Sequence, residues 1–147
     1  MSGPRLAAVD SSPWIVWVEA DPALLAVVEP LFEEIELGRV HAVSSTIVLL
    51  EVLTGAFRRG NDLLARRFEE VFGETRGVAL LPVTREIARE AARLRAAHGL
   101  RTPDSIHVAT AIVAGAAEFV TMDRRLARVK EIPVRVLRPA APKRPRR

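Results

Sequence analysis

The chain has no cysteine in 147 residues. That excludes disulfides, zinc–thiolate sites and cysteine nucleophiles, and it suits a reducing compartment. Long apolar runs are also missing, since none approaches the roughly 20 residues that cross a bilayer. Near the N-terminus, Asp10, Ser11, Ser12 and Pro13 interrupt any apolar stretch after Arg5. Neither a signal peptide nor a membrane partner is expected, and the expected location is cytoplasmic. Lysine is scarce, with only Lys130 and Lys143 beside abundant arginine, which reads as compositional bias rather than function.

What is present fits one soluble domain with a real core: 49% of residues are hydrophobic and 27% charged. The net charge of +4 is uneven. Arg135, Arg138, Lys143, Arg144, Arg146 and Arg147 carry six positive charges with no acid among them, and removing them leaves about −2 for the rest. The division is therefore a domain over 1–137 and a basic, proline-rich tail over 138–147, expected to be disordered. Nucleic-acid contact and simple solubility are equally open roles for that tail.

Apolar strands alternate with helical stretches. "RLAAVD" predicts a strand ending at Asp10, and Ser12 followed by Pro13 predicts a helix start. Asp21 and Pro22 predict a second helix, which Pro30 should kink or split and Gly38 should end. "RVHAVSS" predicts a strand, "STIVLLEVLTG" a helix ending at Gly55, and "NDLLARRFEEVFG" an amphipathic helix. "GVALLPV" is a third strand. Helices capped by Thr84 and by Thr102 should close at Gly99 and Gly115, and "EFVTM" and "VRVL" complete the strands. This alternation predicts a three-layer α/β/α sandwich with a mainly parallel five-stranded sheet.

Such sheets bind ligands at the carboxyl ends of their strands. Asp10 and Asp123 fall there. Asp104 opens a helix, and Glu51 lies within an apolar one. Singly, each has an ordinary explanation as a cap, a turn residue or an exposed helical position. Together they form a set of carboxylates that would repel one another without a cation. Oxygen-only donors point to Mg²⁺ or Mn²⁺ rather than zinc. A water activated beside such an ion can attack phosphorus, so phosphodiester hydrolysis follows.

The chain resembles the PIN-domain ribonucleases, specifically the VapC-like toxins of toxin–antitoxin pairs, from about Leu6 to Leu137. The resemblance rests on "AAVDSSPWI", "VSSTIVLLEVLTG", "RTPDSIHVATAI" and "EFVTMDRRLARV". It implies that Asp10, Glu51, Asp104 and Asp123 are the catalytic and metal-binding acids, with Thr121 and either Ser11 or Ser12 supplying a supporting hydroxyl. It further implies a Mg²⁺- or Mn²⁺-dependent endoribonuclease, an RNA substrate, a cognate antitoxin and a homodimer. Arg101, Arg124 and Arg125 flank the acids and are candidates to hold RNA phosphates. His107, one turn after Asp104, is placed to approach the site but is read first as packing or hydrogen bonding, and Trp14 and Trp17, three apart on one helix, as core or dimer packing.

Other Mg²⁺ folds fit less well. A haloacid-type phosphatase needs a second aspartate two residues after the first, where Ser12 stands. A receiver domain needs an acidic pair at Asp10 and a lysine after the last strands, and Lys130 is poorly placed. A PIN-fold RNA-binding or scaffold protein without cleavage remains the alternative.

Overall fold

Alternating small side chains in the central strand, β1 (Arg5–Val9), decide how the molecule is layered. Ala7 and Val9 face one core and Ala8 the other, each almost fully buried. The computed structural model describes residues 3–140 and Pro145. After β1 come α1 (Ser11–Glu19), α2 (Leu25–Glu36), β2 (Val40–Ser45), α3 (Thr46–Arg58), α4 (Asp62–Glu74) and β3 (Val78–Leu81). Then follow α5 (Arg85–His98), α6 (Thr102–Val113), β4 (Glu118–Thr121), a 3₁₀ turn (Arg124–Arg128) and β5 (Val134–Val136).

The sheet has the order β3-β2-β1-β4-β5, and every pairing is parallel. The expected α/β/α sandwich with five strands is therefore the observed fold. The chain leaves β1 toward β2 and β3, then crosses to β4 and β5 on the other side. β1 and β4 thus flank the point where the winding reverses, the usual place for a ligand crevice. Their register pairs Val9 with Val120.

One core lies between the sheet and α1–α4, and Trp14 anchors it with edge contacts to Phe32 and Phe72. Trp17 stacks on Phe32, so the two tryptophans serve the core. The second core lies under α5 and α6, around Leu94, Val108 and Phe119. Each fully buried side chain of this size contributes about 1.5–3 kcal/mol. Among the described residues, no helix is long and apolar enough to cross a membrane.

Several local expectations are corrected. Asp10, not Ser12, caps α1, because its carboxylate accepts the Ser11 N–H and starts the helix one residue earlier. Asp21 organises a turn by accepting the Ala23 N–H, so α2 begins only at Leu25. Pro30 does not split α2; it and Ala26, whose carbonyl it frees, both lie on the exposed side, so that carbonyl is not buried without a partner. α3 runs through Gly55 to Arg58, since the next residue, Ala56, is fully buried and packing extends the helix. Thr102 is the first residue of α6 rather than its cap, a position held by Arg101. The caps at Thr84 and the closures at Gly99 and Gly115 stand as expected. Of the basic tail, 138–140 have no regular secondary structure, and the rest lies outside the described residues apart from Pro145.

A candidate active site at the carboxyl ends of β1 and β4

Asp10 follows β1 directly. Its N–H donates to the Val120 carbonyl at 2.9 Å, which continues the strand pairing by one residue. One carboxylate oxygen accepts the Ser11 N–H at 2.8 Å, and the other accepts the Thr121 hydroxyl at 2.7 Å. Thr121 is wholly buried, and its oxygen also accepts the Asp123 N–H at 3.0 Å. Burial pushes the Asp10 carboxyl above its ordinary value, and the negative charge of Asp104 adds to this. His107, Thr121 and Ser11 oppose the rise without cancelling it.

Glu51 reaches the same place from α3. Its Oε1 accepts the Ser11 hydroxyl at 2.7 Å and stands 2.5 Å from His107 Nε2. Burial works to raise the Glu51 carboxyl, but the hydrogen bonds from His107 and Ser11 outweigh it and hold the group below its usual range. Of the two serines considered, Ser11 is the one whose hydroxyl enters the site. Ser12 instead lines an adjoining apolar groove of about 700 Å³.

Asp104 and Asp123 form a second group. Asp104, in the first turn of α6, pairs with Arg101 at 3.1 Å. Asp123 caps the 3₁₀ turn and receives two guanidinium nitrogens of Arg125, at 3.0 and 2.8 Å. That Arg125 contact is the chief reason its carboxyl lies below the ordinary value. Asp104, Asp123, Arg101, Arg125 and Arg128 share a small cleft of about 90 Å³. Arg124 is not on this cleft and lines the apolar groove with Ser12. The two groups are electrostatically coupled, because Asp104 acts on Asp10 and Arg101 on both Glu51 and Asp123.

Sequence reasoning passed over Arg128, and it named His107 without identifying its partner. Arg128 lines the cleft and donates to the His98 carbonyl at 2.7 Å. His107 contacts Glu51 and lies 3.9 Å from Asp10. Its signal in the sequence was its position three residues after Asp104, hence on the same face of α6.

Among the described residues, no group of three or more Asp, Glu or His side chains already stands in metal-holding geometry. The donor chemistry nevertheless suits a hard cation. A desolvated carboxylate with a second negative charge bearing on it is relieved by a divalent ion, and the available donors are mainly oxygens. With such an ion the arrangement can activate a water and stabilise a departing oxyanion.

Comparison with known families matches residues 7–132 to the PIN domain. Among curated protein sequences none matches significantly. Three solved structures show the same fold. VapBC2 from Rickettsia felis, bound to a promoter DNA fragment, is similar with a TM-score of 0.72 at 12% identity, covering 90% of this chain and 99% of that one. DNA-bound VapBC from Salmonella typhimurium gives 0.66 at 19% identity, covering 90% and 98%. VapC20 of Mycobacterium tuberculosis, a toxin that cleaves the sarcin–ricin loop, gives 0.63 at 19%, covering 77% and 86%.

Proposed function

This chain belongs to the PIN domain family, and from that premise we propose that it is a metal-dependent endoribonuclease, the toxin of a toxin–antitoxin pair. The observation that carries the reading is Asp10: a buried carboxylate at the reversal point of the sheet, held by Thr121 and Ser11 and faced by the charge of Asp104. In this reading Asp10, Glu51, Asp104 and Asp123 hold Mg²⁺ or Mn²⁺. When bound, the ion supplies an activated water and positive charge for the leaving oxygen. Thr121 and Ser11 fix the orientation of Asp10, and Ser11 also fixes Glu51. Arg101 and Arg125 sit on the acidic cleft, where an arriving phosphate would exchange with their present carboxylate partners. Arg124 is assigned to RNA leaving along the adjoining groove.

The partners follow from the same reading. A cognate antitoxin is proposed because solved structures of this fold are toxin–antitoxin complexes. A homodimer is proposed because Leu50 and Phe57, two turns apart on α3, leave an apolar stripe with 59% exposure at each residue. The proposed location is the cytoplasm.

One observation favours the second reading, an RNA-binding or scaffold protein without cleavage: Asp104 and Asp123 are each already neutralised by an arginine. Cleavage separates the two. Purified protein with Mg²⁺ or Mn²⁺ should cut RNA, and the activity should vanish with EDTA and in Asp104→Asn prepared identically. RNA binding without cleavage, or equal cleavage by the variant, would remove the nuclease assignment.

A further inference from the structure

Glu51 has the most exposed side chain of the inner pair, at 36%, yet it is gripped from two directions. Ser11 reaches it from α1 and His107 from α6, both ending on the same oxygen, Oε1. His107 is buried, with 3% of its surface exposed. Its other nitrogen, Nδ1, has no hydrogen-bond partner among the described residues. A buried N–H without an acceptor costs more than a bare ring nitrogen, so the proton belongs on Nε2 and is donated to Glu51. The same Nε2 lies 3.9 Å from Asp10, between the two carboxylates.

We propose that His107 is a positioning residue: it donates from Nε2 to Glu51, spaces that carboxylate from Asp10, and so holds Glu51 in place as one of the residues that would bind the cation. The role rests on the nuclease reading above. It also gives the burial of a polar ring among Val108, Ala109 and Ala111 a purpose, since α6 carries Asp104 and the support for Glu51 on adjacent turns. A helix that supplies one acid thereby sets the place of another from the opposite side of the sheet. Groups that hold metal-binding side chains in this way change metal affinity by about 10- to 100-fold when removed.

The test compares His107→Leu, which removes the donor at similar volume, with His107→Gln, whose amide N–H₂ can still donate. In metal-free protein carrying ¹⁵N-histidine, the His107 N–H proton should resonate far downfield and move in Glu51→Gln. By calorimetry with Mn²⁺ alone, His107→Leu should bind about 10- to 100-fold more weakly, and His107→Gln should recover most of the loss. A His107 proton indifferent to Glu51→Gln overturns the proposal, as does a folded His107→Leu protein with wild-type Mn²⁺ affinity. Should His107→Leu fail to fold, His107→Gln and the Glu51→Gln spectrum still decide. Wild-type protein that binds no Mn²⁺ while retaining the coupled proton would overturn the nuclease reading, and with it the role but not the bond.

Discussion

Thr121→Val tests the central hydrogen bond of the site with almost no change of shape. The hydroxyl is wholly buried, donates to Asp10 at 2.7 Å and accepts from the Asp123 N–H at 3.0 Å. Valine keeps the volume and removes both bonds. A hydrogen bond to a charged group contributes about 1.5–3 kcal/mol, and the half-buried Asp123 N–H adds toward the low end of the range for an unsatisfied donor, roughly 1 kcal/mol. The expected loss is therefore about 2.5–4 kcal/mol, or roughly 8–13 °C in Tm for a chain of this size. Thermal and urea melts in EDTA measure it.

The pH dependence identifies the cause. Thr121 favours ionised Asp10 and so lowers its folded pKa, although burial keeps that pKa above the ordinary value overall. The stabilisation from this bond is complete while Asp10 is ionised and is lost as pH falls through its raised folded pKa. Wild type and Thr121→Val should thus differ most near neutral pH, and on acidification the gap should narrow to the part that comes from the Asp123 N–H. Thr121→Ser, which keeps the hydroxyl, should show only a small, pH-independent loss from the missing methyl. A Thr121→Val deficit that does not change with pH would reduce the residue to packing and refute the reasoning.

Two further outcomes follow from the same geometry. Ser11→Ala should depress cleavage by about 10- to 100-fold by freeing Glu51, while Ser12→Ala, on the apolar groove, should leave it near wild type; RNA cleavage at saturating Mn²⁺ measures both. Arg125→Gln in metal-free protein should raise the Asp123 carboxyl toward its ordinary value, because Arg125 is the first cause of its depression. Asp123 then contributes less stability above that value and loses it at a higher pH on acidification, which ¹³C carboxyl titration can follow.

The order of strands and helices was legible because hydrophobic periodicity and the Gly and Pro punctuation are local properties. Gly38, Gly99 and Gly115 close their helices in the left-handed conformation that glycine adopts without strain. Helix starts were less legible: Asp10 displaced Ser12 by accepting the Ser11 N–H, and α6 starts one residue early, after an Arg101 that makes no side-chain cap hydrogen bond. The end of α3 followed the burial of Ala56 rather than the glycine before it.

At the site, the sequence by itself determined which residue types could bear the chemistry and that Asp10 and Asp123 would follow strands on the ligand-binding edge. It left open whether Ser11 or Ser12 entered the site, and whether His107 approached the site or only packed or hydrogen-bonded elsewhere. Only the tertiary structure decided that Ser11 and His107, 40 and 56 residues from Glu51 in the chain, meet on one of its oxygens. It likewise placed Arg124 on the apolar groove and Arg128 on the cleft. The physical reason is that periodicity reports which face of a helix is buried, whereas the partner met there depends on how α1, α3 and α6 converge at the edge of a sheet assembled from distant strands.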